Sequence, residues 1–242
     1  VFELVPEDET PAGKRALQTM WRFQIKTDKN GNVVRFRPRL CARGDKQEPG
    51  VDFLVMETFS PVARMASFRL FLALCVLLGL DPFSCDVNAA YLNTLLKIMH
   101  FIRRIAGFPL RKGWVYKVKH AIYGLHQSGR EWYEELAAWL AGRPWHRCTT
   151  EPCLYVFAIL LVYVDDLICA TSNERWKVDF KAIDSKYGSK DLGRLHEYLD
   201  ILVEWTEEGA FLHQTKYAKY VLNRFGFGDA HGCRSPWTRL QS

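Results

Sequence analysis

Two adjacent carboxylates, Asp165 and Asp166, stand between two apolar runs, Ile159-Leu160-Leu161-Val162-Tyr163-Val164 and Leu167-Ile168-Cys169. The pattern reads as a tight β-hairpin with the two acids as its turn. Burial accounts for the flanks. It does not account for paired acids where a hairpin ordinarily prefers Asn-Gly. A second short element, Cys85-Asp86-Val87-Asn88-Ala89-Ala90-Tyr91, carries another aspartate behind a turn. Three carboxylates gathered on strand ends are the ligands two divalent cations need for nucleotidyl transfer. Two such charges ~4 Å apart repel by roughly 4 kcal/mol at an effective dielectric of about 20, so the group is poor as structure unless cations neutralise it. Asp165-Asp166 taken alone is equally well read as a solvated polar turn.

The elements that must position these acids can be read along the chain. Trp21-Arg22-Phe23-Gln24-Ile25-Lys26 alternates apolar and polar, Asp28-Lys29-Asn30-Gly31 is a turn signal, and Val33-Val34-Arg35-Phe36 returns. That predicts a hairpin, and Arg37, Arg39 and Arg43 follow it. Ser60-Pro61 predicts the start of a buried helix that Gly79 closes. Ser128-Gly129-Arg130-Glu131 fits a capping box, with Trp132, Tyr133, Leu136, Trp139 and Leu140 on one stripe and Gly142 and Pro144 as the stop. A third helix is expected at about 176–187. A strand from Tyr198 to Trp205 should turn at Glu207-Glu208-Gly209 into Ala210–His213. A short helix from Tyr217 to Phe225 precedes a polar tail. Strands and helices mix without a strict β-α-β rhythm, which predicts an α+β fold with the acids on an antiparallel sheet backed by helices.

The bulk numbers agree with a folded, mildly basic domain. The chain has 242 residues, 48% hydrophobic, with a formal net charge of +6. From Lys97 to Arg130 there are eight Lys or Arg residues and no acid, interleaved with Phe101, Phe108, Trp114, Tyr116 and Tyr123. Cations among aromatics favour a nucleic-acid surface over a plain solvated face. The seven cysteines form no Cys-x-x-Cys pair, which predicts free thiols and no zinc site. The longest apolar stretch, Leu70 to Leu80, is too short to span a bilayer, and no membrane partner is expected. The opening Val1-Phe2-Glu3 without an initiator Met is what a domain cut from a longer chain would show.

Several blocks, in order, carry a resemblance. They are Arg39-Leu40-Cys41-Ala42-Arg43-Gly44, Glu57-Thr58-Phe59-Ser60-Pro61-Val62-Ala63-Arg64, Asp86-Val87-Asn88-Ala89-Ala90-Tyr91-Leu92-Asn93, Tyr123-Gly124-Leu125-His126-Gln127-Ser128, Pro152-Cys153-Leu154-Tyr155, Tyr163-Val164-Asp165-Asp166 and Lys190-Asp191-Leu192-Gly193. Together they resemble the reverse transcriptase domain of copia-type long-terminal-repeat retrotransposons, part of a Pol polyprotein. The resemblance implies a right-hand polymerase core. It places the fingers at 1–82, the first catalytic strand of the palm at 83–93, a return to the fingers at 94–127, the palm with its catalytic hairpin at 128–213, and the start of a thumb with a loose tail at 214–242.

It further implies that Asp86, Asp165 and Asp166 are catalytic and hold two Mg²⁺ or Mn²⁺ ions. Tyr91 would floor the sugar pocket, Gln127 would touch the incoming nucleotide or template, and Arg39 would grip the triphosphate. Lys190 is a candidate general acid, with a solvated lysine the alternative. Gln214 and Tyr217 would face primer or template. The implied partners are an RNA or DNA template-primer, deoxynucleoside triphosphates, and adjoining ribonuclease H and integrase regions. The implied setting is cytoplasmic, in a virus-like particle, or nuclear.

The chain also departs from the pattern. Asp200 stands where the family has Gly in a Leu-Gly-Ile strand. The segment between Tyr155 and Tyr163 is short, so the strand before the catalytic hairpin is expected to lack its partner and turn. These departures keep open a second reading, an inactive relic or nucleic-acid-binding module of the same fold. A nucleotide cyclase is a third, opposed by the long cationic stretch.

Overall fold

The structure is a computed structural model and describes residues 1–27, 32–171 and 175–232. Eleven residues of alternating pattern form β2 (Leu17–Thr27), which follows β1 (Phe2–Pro6) and pairs antiparallel with β3 (Val33–Ala42). The expected first hairpin is therefore present, while its Asp28–Gly31 turn lies outside the described residues. Helix α1 (Met65–Leu78) and β4 (Asp81–Val87) come next, then β5 (Leu95–Arg104) and β6 (Trp114–His120). Strands β5 and β6 complete a five-stranded sheet in the order β1-β6-β5-β2-β3, with β2 and β5 parallel. Leu17, Ile102, Val118 and Ile122 form its core. The far half of the β2–β3 ribbon buries nothing, with Phe23, Ile25 and Phe36 all exposed.

The second sheet carries the acids. After α2 (Ser128–Ala141) come β7 (His146–Arg147), β8 (Leu154–Val156), β9 (Ile159–Tyr163) and β10 (Asp166–Thr171). Helix α3 (Arg175–Tyr187) leads into β11 (Ser189–Arg194). The order is β11-β4-β10-β9-β8-β7, and every pairing is antiparallel. The unbroken apolar run of β9 follows from burial on both faces. Leu160 and Val162 pack with Trp132, Leu136 and Leu140 of α2 and Ile183 of α3. Leu161 points the other way, into a core with Phe68, Phe71 and Leu72 of α1. So α1, which lies in the 1–82 segment, packs on the second sheet. A third sheet, β12 (Glu197–Tyr198), β13 (Ile201–Thr206) and β14 (Gly209–His213), closes this face through Tyr198 and Val203, and α4 (Thr215–Arg224) follows. The mixed α and β content and the antiparallel acid-bearing sheet match the α+β expectation.

Five local expectations need correction. The hairpin turn is Val164-Asp165, not Asp165-Asp166, because Tyr163 pairs with Asp166. Val164 sits at φ 55, a left-handed conformation that costs a β-branched residue of order 1–3 kcal/mol, and the Trp132 indole N–H holds it by donating to the Val164 carbonyl at 2.8 Å. Helix α1 starts at Met65, and Ser60 caps nothing, since its hydroxyl donates to the Gly129 carbonyl at 3.0 Å. Gly79 does close α1, in a left-handed conformation at φ 61.

The capping box before α2 does not form. Ser128 Oγ donates to Ile122 O at 2.6 Å, and Glu131 accepts from the Lys97 backbone N–H at 3.3 Å. The strand expected from Tyr198 to Trp205 is broken by a two-residue turn, Leu199-Asp200, with φ of 49 and 62. Two positive φ values are the signature of a type I′ turn, where Gly is at ease and Asp is tolerated. The short segment before the catalytic hairpin still supplies a partner, since β8 pairs with β9 through a Phe157-Ala158 turn.

Where the end of β3 passes the loop that follows β6, the chain crosses itself closely. Ala42 N–H donates to Tyr123 O at 2.8 Å. A Cβ on Gly44 would lie 1.9 Å from the Gly124 carbonyl oxygen, and one on Gly124 would lie 2.2 Å from the Ala42 carbonyl oxygen.

Candidate active site

Asp86 is the penultimate residue of β4. Directly opposite it stand Asp166 on β10 and Lys190 on β11. Residues directly opposite in a ladder share a face, so the three form a row across adjacent strands. Asp165 adjoins the row from the turn, and its carbonyl accepts from Val87 N–H at 2.8 Å. Burial, followed by the like charges of Asp165 and Asp86, raises the Asp166 carboxyl to about 6. Burial and then Asp165 also raise Asp86, against the pull of Arg37, Lys26 and Lys190.

Two clefts flank the acids. Asp86, Asp165 and Lys190 line a cleft of ≈ 570 Å³ together with Arg37, Arg39 and Tyr123. Asp166 lines a neighbouring cleft of ≈ 480 Å³ with His196 and Asp200, and Lys26 borders both. The β2–β3 ribbon thus brings four cations, Lys26, Arg35, Arg37 and Arg39, to the acids. Arg39 lies 5.5 Å over the Tyr123 ring and donates to Gln24. Arg43, the third arginine of the expected group, is held bidentately by Asp45 at 2.7 Å.

Lys26 and Arg37 are the cationic partners that sequence reasoning passed over. The signal was present in the ribbon's alternation. Lys26, Arg35, Arg37 and Arg39 cluster on its two strands, but no spacing rule links them to Asp86.

The remaining expected residues sort into three groups. Tyr91 follows β4 in a single 3₁₀ turn, Ala90–Asn93, with its ring 5.1 Å from Tyr123 and its phenol raised by burial and by Asp165. It is therefore beside the acids. Gln127 is not open to a ligand. It is 4% exposed, its amide donates to Asp52 O at 3.1 Å, and its carbonyl accepts from Gln47 at 3.1 Å. Gln214 precedes α4 without capping it, and Tyr217 is exposed; neither lines either acid cleft.

The donor chemistry suits hard cations. Carboxylate oxygens match Mg²⁺ or Mn²⁺. The nearby thiols Cys85 and Cys169 are raised to about 12 by burial, which removes soft-metal ligands from the set. Among the described residues no three His, Cys, Asp or Glu side chains are arranged to hold an ion, so Asp86, Asp165 and Asp166 adjoin without converging.

A sequence model of the family described as reverse transcriptase (RNA-dependent DNA polymerase) matches residues 1–239. The chain belongs to this family. It is similar to the retrovirus-related Pol polyprotein from transposon TNT 1-94 of Nicotiana tabacum, at 33% identity over 94% of this chain and 18% of that protein. The Pol polyproteins from transposons RE2 and RE1 of Arabidopsis thaliana are 31% and 30% identical over 97% of this chain and 16% of theirs. This reverse transcriptase domain thus spans less than a fifth of each of these relatives. The copia-type resemblance read from the sequence blocks is borne out.

Proposed function

We propose that the chain is an RNA-templated DNA polymerase domain that joins a deoxynucleoside triphosphate to a primer 3′-hydroxyl. One observation carries the reading: Asp86 and Asp166 face each other on adjacent strands, with Asp165 beside them and a cationic ribbon opposite. Asp86, Asp165 and Asp166 would hold two Mg²⁺ or Mn²⁺ ions, which when bound supply charge neutralisation and activation of the hydroxyl. Arg37 and Arg39 would orient the triphosphate across the cleft. Lys190, paired with Asp86 across the ladder, would give a proton from Nζ to the departing pyrophosphate. Tyr91 would close the sugar end of the cleft against a 2′-hydroxyl. The first sheet, with its ribbon, corresponds to the fingers, the second sheet to the palm, and α4 to the start of the thumb. Template-primer, neighbouring ribonuclease H and integrase regions, and a virus-like particle or nuclear setting belong to the same reading.

The test is primer extension on an RNA template with Mg²⁺ or Mn²⁺, comparing the chain with Asp165→Asn. Extension by the first alone is the expected result. Equal extension by both would remove the acid assignment. Absence of extension by a folded protein supports the second reading, an inactive relic of the same fold. That reading is favoured by the sequestered Gln127.

A further inference from the structure

Strands β2, β5 and β6 reach from the acid cleft to a second groove. Lys26 and Ile122 border the cleft, whereas Gln18 and Trp114, at the other ends of the same runs, border the groove. Eight residues of extended chain cover about 26 Å, so the two sites lie ~20–25 Å apart. They share no lining residue.

The groove, of ≈ 770 Å³, is lined by Arg103, Arg104, Arg111 and Lys112. All four are exposed. Arg103 leans toward Glu7 at 3.6 Å. Arg104 and Lys112 have no acidic partner among the described residues, and Arg111 lies 5.8 Å over the Trp114 ring. Phe108, 56% exposed, stacks on Trp21 at 6.3 Å and 25°. Glu7 is the one acid in the lining, and Asp8 and Glu9 follow it in the same 3₁₀ turn.

Cations without acidic partners, a second arginine stacked on a half-buried indole, and one exposed ring in an open groove match one ligand chemistry. A single strand offers phosphates to the cations and unstacked bases to the rings. A duplex hides its base faces, and an acidic peptide would leave Phe108 in water. We propose that this groove is a second anchoring site for single-stranded nucleic acid, separate from the acid cleft and holding a strand on which the cleft is not acting.

The experiment is anisotropy of a labelled single-stranded RNA of about 20 nucleotides, without divalent cations or nucleotides, from ~50 to ~200 mM salt. Arg104→Ala/Arg111→Ala/Lys112→Ala, shown to be folded by its unfolding midpoint, is expected to bind at least about tenfold more weakly and to flatten the log–log salt slope by about 2, since each phosphate contact on a single strand contributes about 0.7. Phe108→Ala should weaken binding several-fold with little change in slope. Glu7→Gln should tighten it. Arg69→Ala, an exposed cation on α1 that borders neither site, should leave binding unchanged, and the absence of divalent cations and nucleotides keeps this test distinct from that of the acid site. Unchanged affinity and slope in Glu7→Gln, Phe108→Ala and the triple variant would overturn the proposal. So would competition by polyglutamate as effective as that by unlabelled RNA, which would mark an acidic-protein surface instead.

Discussion

At the scale of single residues, the acids are held in an arrangement that costs the fold. Burial and mutual repulsion raise Asp166 and Asp86, so ionising them at neutral pH works against folding. Asp166→Asn should therefore raise the metal-free unfolding midpoint by a few degrees. Mg²⁺ should raise the midpoint of the parent chain and leave the variant nearly unmoved, measured by thermal scans with and without the ion.

His100 gives a second residue-scale prediction. Its ring is buried, Nε2 lies 2.8 Å from the Gln47 amide nitrogen and 3.3 Å from that of Gln127, and Nδ1 faces Ile98 O. Two amide donors fix Nε2 as an acceptor, so the ring is neutral. Burial is the largest influence and lowers His100 below the ordinary histidine range; Lys14 lowers it further, while Asp52 and Ile98 O oppose. A lowered histidine stabilises the fold fully above the unfolded value, and this contribution is lost as pH falls from about 6.5 toward the folded value. In urea unfolding between about pH 7.5 and 5.5, His100→Val should lose less stability than the parent chain as pH falls, the difference isolating this ring from Asp166, whose protonation acts in the opposite sense.

The same residues show what sequence could and could not give. Asp86, Asp165, Tyr91, Arg39 and Lys190 were legible because each stands in a local block. The sequestration of Gln127 was not, because Gln47 and His100 reach it from 80 and 27 residues away.

At the scale of elements, periodicity located the helices and strands, while tertiary hydrogen bonds moved their ends. Ser60 and Ser128 have the composition of caps, yet both hydroxyls are spent on carbonyls elsewhere in the chain. Turn register was likewise hidden. Tyr163 pairs with Asp166 because the strained Val164 is held from outside by Trp132.

The Leu199-Asp200 turn can be tested by signs. Asp200→Gly should stabilise by about 0.5 kcal/mol, and Asp200→Val should destabilise by about 1–2 kcal/mol, in chemical denaturation. Equal effects would contradict a positive φ at this position. The glycine crossing makes a sharper contrast. Gly124→Ala places a Cβ 2.2 Å from a backbone oxygen at φ +90 and should cost at least about 3 kcal/mol. Gly113→Ala, also at positive φ but with nothing within 4 Å, should cost about 1 kcal/mol.

At the scale of the whole molecule, the site is an assembly of two sheets that neither sheet makes alone. The second sheet supplies acids and Lys190, while the first supplies the cationic ribbon. Among the described residues no helix is long and apolar enough to cross a membrane. The parallel pairing of β2 with β5, which places the ribbon over the acids, was not legible, because it joins segments 85 residues apart.

The crossing at Gly44 and Gly124 ties the end of β3 to the loop that follows β6, and it has a genetic consequence. Every missense change in a glycine codon adds a side chain, and here no side chain fits. In a genomic copy whose product no longer has to fold, those two codons drift like any others. In a copy still maintained for its product, a change at either codon costs the fold, so a substitution there points to an element's remains.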